Sequence, residues 1–187
     1  MSNAVSTELI KSCLVIRLIR PEIRNPLSVG VLERLIDIVE NVDRSVERVI
    51  FTGIDGVFAA GADLREIDKI TVDDAKEFAR RGQHLMNAVS GLPVSIAAIN
   101  GVCFGGALDL ALACKRRVAV SNAEFCHPGV GLGIITGWGG TQRLPRLIGE
   151  TAALEMFMTA RRVSAAEALS LRLIDEIADD PLEAAFL

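Results

Sequence analysis

Two segments carry residues whose types and spacing suit chemistry: Phe58-Ala59-Ala60-Gly61-Ala62-Asp63 and Asn100-Gly101-Val102-Cys103-Phe104-Gly105-Gly106-Ala107. Each follows an apolar, strand-like run, and each brings small residues to the start of a helical pattern. The first amides of a helix have no acceptor within it, and the helix dipole adds positive charge there. Two such turns, stripped of side-chain bulk, can aim backbone N–H groups at one shared oxygen. That is an oxyanion hole built from main chain, with its donors fixed before any reaction begins. Metal chemistry is not suggested. The chain has two histidines, and its four cysteines (Cys13, Cys103, Cys114 and Cys126) show no CxxC spacing.

The remaining pattern has to position those turns. Cys-Leu-Val-Ile-Arg-Leu, residues 13–18, reads as a strand closed by Pro21, and Ser28 as the cap of a helix reaching about residue 42. Leu32, Leu35, Ile36 and Val39 share one face of that helix. A short buried strand over 48–52 leads through Asp55-Gly56-Val57-Phe58 to the first glycine turn, and a short helix follows from Asp63. Thr71 and Asp74 open a longer helix to about residue 89 in capping-box fashion. A strand over 94–99, the second turn and a helix over 105–113 come next, then a strand over 117–121 and a glycine-rich stretch from Phe125. Helices are expected over 140–148, 151–159 and 165–171, with a last strand over 174–177. Strand, turn and helix repeated in this way indicate stacked β/α units with right-handed crossovers.

With 187 residues, half of them apolar and 4% aromatic, the chain fits one α/β domain with an aliphatic core. Its formal net charge of −4 argues against nucleic acid or an anionic membrane as the main partner. No apolar run approaches a membrane span and nothing at the start reads as a targeting segment, so a cytoplasmic protein with reduced thiols is expected.

The array Phe-Ala-Ala-Gly-Ala-Asp-Leu, Ala-Ile-Asn-Gly-Val-Cys-Phe-Gly-Gly-Ala-Leu-Asp-Leu-Ala and Gly-Trp-Gly-Gly-Thr-Gln-Arg-Leu-Pro-Arg-Leu-Ile-Gly resembles the crotonase (enoyl-CoA hydratase/isomerase) superfamily, in order and across essentially the whole chain. The resemblance implies a stacked ββα spiral core, here one domain over 1–187, with the C-terminal helical segment of the family missing or truncated. It implies an acyl-CoA thioester whose carbonyl oxygen meets the amides of Ala62 and Gly106. Ala60, Ala62, Asp63, Leu64 and Arg65 match the turn that grips the CoA adenine and pantetheine, and Arg24 the basic residue near the CoA phosphates. Coenzyme A would enter as part of the substrate, with no separate cofactor. A homotrimer or dimer of trimers is also implied.

Family hydratases use two glutamates around the reacting carbons. The first matches Asp109, three residues beyond Gly106 and therefore on the same helical face, leaning back toward the helix start. The second falls on Gly129, and a base position of certain isomerases falls on Gly137; neither has a side chain. If residues 127–129 are extended, His127 shares a face with Gly129 and can reach the site, directly or through a water. The other reading of His127 is a hydrogen-bonded structural histidine before Pro128. Glu124 would face the opposite way. His84 reads as a partly exposed helix residue, and Trp138 as either acyl-pocket lining or core.

The expected function is therefore enolate-stabilising acyl-CoA chemistry, with Asp109 as the main acid/base group: enoyl-CoA hydration or isomerisation. Decarboxylation of a malonyl-type acyl-CoA is the alternative among enzymes. A CoA-binding or assembly protein without turnover is the alternative outside them, because of the empty Gly129 and because residues 182–187 would present apolar surface to solvent.

Overall fold

Strand–strand–helix units build the chain, which a computed structural model describes over residues 4–187. β1 (Val5–Ile10) and β2 (Cys13–Leu18) form an antiparallel hairpin, and α1 (Val29–Glu40) follows. The first full unit comprises β3 (Arg48–Gly53), β4 (Val57–Ala59), α2 (Leu64–Ile67) and α3 (Val72–Gly91). The second comprises β5 (Ser95–Ile99), β6 (Val102–Phe104) and α4 (Gly106–Ala113). The third begins with β7 (Arg116–Ala119) and β8 (Glu124–Cys126) and continues into α5 (Gly140–Ile148) and α6 (Glu150–Thr159). Then come β9 (Val163–Ser164), α7 (Ala165–Ser170), β10 (Glu176–Ile177) and α8 (Pro181–Ala185).

The long strands form one six-stranded sheet, ordered β1-β2-β3-β5-β7-β10, parallel except for the opening hairpin. β3 and β5 are buried on both faces, which is why they read as unbroken apolar runs rather than alternating ones. The second strand of each unit joins a separate four-stranded sheet, β4-β6-β8-β9. Its members are two or three residues long, too short to show a period of two in the sequence. This second sheet is absent from the sequence reading, as is β1. The ββα spiral itself is as expected.

Local chemistry sets the helix ends. The Ser28 hydroxyl accepts from the Val31 amide and starts α1, whose Leu32, Leu35 and Val39 are buried. α1 stops at Glu40, two residues short of the expected end, where the Asn41 side chain donates to the Asp37 carbonyl. The Thr71 hydroxyl accepts from the Asp74 amide at 3.3 Å and donates to its carboxylate at 2.6 Å, fixing the start of α3. α4 is apolar apart from Asp109, and Ala107 through Ala113 are all buried. Among the described residues no helix is long and apolar enough to cross a membrane.

The expectation of apolar surface over 182–187 is largely overturned. Pro181, Ala184 and Ala185 of α8 are buried, and Leu182 and Phe186 pack partly against the same small core. That core lies on the second face of the large sheet, with Val15, Ile50, Ile96, Ala98 and Val118. Asp180 caps the helix by accepting from the Leu182 and Glu183 amides, which aims its apolar side inward. Leu187 alone stands fully in solvent, at 92% exposure.

β4 and β6 run parallel and side by side, so the turns that leave them start next to each other. Gly61 has φ +97°, and a Cβ there would lie 2.7 Å from the Phe104 carbonyl oxygen and 3.0 Å from the Gly106 nitrogen. Left-handed strain and overpacking act together at that point. Gly61→Ala is expected to lower stability by about 2–4 kcal/mol, read from the shift of the urea unfolding midpoint.

Candidate active site

The carboxyl ends of β4, β6 and β8 converge on one place. The turn after β4 is pinned by main chain: the Ala60 amide donates to the Arg24 carbonyl at 2.9 Å, and the Leu27 amide to the Gly61 carbonyl at 2.8 Å. Buried Asn25 donates to the carbonyls of both Val57 and Phe58. The turn after β6 is tied to β8, since the Gly105 amide donates to the Cys126 carbonyl at 2.8 Å. Gly106 then opens α4, with the Trp138 ring lying where a side chain of residue 106 would stand. The amides of Ala62 and Gly106 donate to no acceptor among the described residues.

Both turns face a cavity of about 450 Å³. Ala75, Phe78 and Ala79 of α3 form one wall, and Leu132, Ile134 and Ile135 another. Trp138 is at once part of the core and of the cavity lining. Its side chain is buried, it packs against Phe78 with ring centroids 5.6 Å apart, and it lines the cavity.

Asp109 lies at the cavity floor and is 1% exposed. Its Oδ2 accepts from the Thr136 hydroxyl at 2.5 Å, while its Oδ1 has no hydrogen-bond partner among the described residues. Burial pushes the carboxyl up to about 6. The Thr136 hydroxyl, the Arg143 guanidinium and the Trp138 and Gly140 amides at the start of α5 hold it back from rising further. A carboxyl poised near neutrality can take or give a proton at working pH.

His127, the residue after β8, is 3% exposed and also lines the cavity. Its Nε2 stands 3.8 Å from Asp109 Oδ1, and neither ring nitrogen has a hydrogen-bond partner among the described residues. Burial pulls its pKa down to about 4, so the ring is neutral at pH 7. Two expectations are corrected here. The segment 127–129 is not extended, because Pro128 starts a tight 3-10 turn (Pro128–Leu132) that ends the alternation at His127. His127 is also not a hydrogen-bonded structural histidine; its nearest ring is Phe157, 5.1 Å between centroids. Nor is Gly129 an empty place for a side chain. A Cβ there would stand 2.6 Å from the Ile134 carbonyl, because the Ile134 amide folds back to donate to the Gly129 carbonyl. Gly137 is open by contrast, with nothing nearer to a Cβ than Ala79 at 4.0 Å.

The residues read as gripping CoA divide into two groups. Ala60, Ala62, Leu64 and Gly106 line the cavity. Arg24, Asp63 and Arg65 lie outside it. Asp63 caps α2 by accepting from the Arg65 amide, and its carboxylate pairs with the Arg65 guanidinium at 2.6 Å. Arg24 is exposed beside the first turn, held there by its own backbone. Glu124 pairs with Arg162 and His84 with Glu40, both away from the cavity. Thr136 is the site residue that the sequence reading missed. It falls within a glycine-rich stretch, and nothing local marks it; folding alone brings it over α4.

The fold and this site define an α/β protein of the ββα-spiral class with an apolar cavity, floored by a buried carboxyl, at the ends of its short strands. The enoyl-CoA hydratase/isomerase family model matches residues 8–184, and the chain belongs to that family. It is 41% identical over 163 residues to a crotonyl-CoA hydratase of Syntrophomonas wolfei, covering 84% of this chain and 62% of that protein. It is 41% identical over 170 residues to an enoyl-CoA isomerase/hydratase of Zymoseptoria tritici, covering 87% of this chain and 56% of that protein. The chain thus spans less than two thirds of the length of either relative. The crystal structure of an enoyl-CoA hydratase from Bacillus anthracis superimposes with a TM-score of 0.93 at 36% identity, over 98% of this chain and 74% of that one.

Two outcomes follow from the electrostatics. The Thr136 hydroxyl stabilises the charged form of Asp109, so Thr136→Val should raise that carboxyl by roughly one pH unit, as read by carboxyl NMR titration. The second concerns stability. Because the Asp109 pKa lies above its ordinary 3.8, the folded chain binds that proton more tightly than the unfolded one, and its charge burdens the fold above about pH 6. A displacement of about two pH units is worth about 3 kcal/mol. Asp109→Asn should therefore gain up to that much stability at pH 8, the gain fading as pH falls toward 4. His127 acts oppositely, since its contribution is present above 6.5 and lost as pH falls toward 4. With Asp109 gone, urea unfolding should show a steeper acid loss than in the unaltered chain.

Proposed function

We propose that the chain acts on acyl-CoA thioesters by proton transfer at the carbon next to the carbonyl, as in enoyl-CoA hydration or double-bond isomerisation. The thioester oxygen would enter between the two turns, and the amides of Ala62 and Gly106 would hold the charge of the enolate. Donors of this kind are worth about 2.7–4 kcal/mol each in other enzymes. Asp109 moves the proton. The acyl chain lies along the apolar walls, and Arg24 and Arg65 stand outside the cavity where the CoA phosphates would pass. Coenzyme A comes with the substrate, and no other cofactor is called for.

One observation carries this reading: a buried carboxyl, titrating near neutrality, shares an apolar cavity with two helix-start turns whose amides have no acceptor among the described residues. Decarboxylation of a malonyl-type thioester is disfavoured, because it would set a second carboxylate beside Asp109 between apolar walls. A CoA-binding protein without turnover has no use for a carboxyl that burdens the fold.

Incubation with crotonyl-CoA, followed by loss of enoyl absorbance, tests the reading, and CO₂ release from methylmalonyl-CoA is the outcome that would replace it. Asp109→Asn is expected to lower turnover at least a hundredfold while butyryl-CoA still binds in calorimetry. Gly106→Val, which drives a side chain into Trp138, should abolish binding and turnover together. Unchanged turnover in Asp109→Asn would remove that carboxylate from the mechanism.

A further inference from the structure

We propose that His127 is a second catalytic residue: its Nε2 and Asp109 Oδ1 together hold the water that adds across an enoyl-CoA double bond, so that hydration is the reaction of this site. The inference rests on the acyl-CoA reading above and goes beyond it in choosing the reaction and assigning the imidazole.

The two atoms face each other at 3.8 Å. That is too far for a direct hydrogen bond, yet one water oxygen can sit about 2.8 Å from both. Neither atom has a hydrogen-bond partner among the described residues; the two residues are 3% and 1% exposed, and both line the cavity. A buried polar atom left unsatisfied costs about 1–3 kcal/mol, and a site with two convergent polar groups is one that retains water. The surroundings fix the pair in place. Phe157 packs on the imidazole, and Gly140 comes so close to both that a Cβ there would strike Asp109 Oδ1 and stand 3.1 Å from His127 Cε1. Residue 129 cannot supply the second polar group, because the Ile134 carbonyl occupies the place of its Cβ. Imidazole is the polar group the fold leaves opposite Asp109.

Isomerisation needs one base that carries a proton between two carbons, and it needs no water. An imidazole held buried and unpartnered would have no part in it. In hydration the water donates one hydrogen bond to Asp109 Oδ1 and the other to His127 Nε2, which leaves an oxygen lone pair free to attack C3. As the C3–O bond forms, Asp109 takes the water proton, and the C2=C3 pair moves onto the thioester oxygen as the enolate. Asp109 then returns that proton to C2. One water has added across the double bond, no electrons are gained or lost, and His127 stays neutral throughout, as its burial requires.

Two rates on the 187-residue chain test this: hydration of crotonyl-CoA, and exchange of the α-hydrogens of butyryl-CoA in D₂O, which uses Asp109 but adds no water to carbon. His127→Leu is expected to lower the ratio of hydration to exchange at least a hundredfold. His127→Gln, whose terminal amide reaches the Nε2 position, should restore part of that ratio and covers the case in which the leucine variant does not fold. If the ratio is unchanged in both variants, or if both rates fall together, His127 does not hold the reacting water and the assignment is overturned. If the unaltered chain exchanges α-hydrogens but does not hydrate crotonyl-CoA, this inference fails while the acyl-CoA reading survives. If it neither binds nor exchanges butyryl-CoA, the acyl-CoA reading itself fails.

Discussion

Parallel pairing of β4, β6 and β8 is the constraint from which the site follows. Each strand is three residues long, and their shared direction brings three chain turns to one edge. Gly61 can then approach the start of α4, Gly105 can bond to the end of β8, and His127 emerges beside Asp109. The large sheet fixes the order β3-β5-β7, and the short strands copy that order one layer away. The long apolar strands form the scaffold, and the cavity sits where the strands are short.

Electrostatics inside the cavity are set by burial more than by charge pairing. Asp109 is driven toward its protonated form and His127 toward its neutral form by the same apolar surroundings. Around Asp109 the opposing influences are few: one hydroxyl, the partly buried Arg143 and the amides at the start of α5. Their balance leaves the carboxyl near neutrality, which is useful for moving protons and unfavourable for the fold. Above about pH 6 the cost falls on Asp109 alone, since His127 is already neutral there.

Much of the framework was legible in the residues. The central strands β3 and β5 stand out as apolar runs, because a strand buried on both faces has few polar positions to interrupt it. Helix starts at Ser28, Thr71 and Asp63 were legible because capping is local chemistry between a side chain and an amide a few residues on. The two glycine turns and Asp109 were legible for a similar reason, since small residues at a helix start and an i, i+3 spacing are properties of one segment. β4, β6 and β8 were not, because three residues carry no period and only their neighbours make them strands.

The sequence by itself determined the class of fold, the two turns and the carboxylate between them, all encoded by residues close together in the chain. Only the tertiary structure decided what surrounds that carboxylate. Thr136 bonds to a residue 27 positions away. His127 is buried beside Asp109 where the chain turns at Pro128, and Gly129 is closed by a carbonyl five residues further on. The protonation state of a buried group depends on everything packed around it, and that sum exists only once distant segments have met.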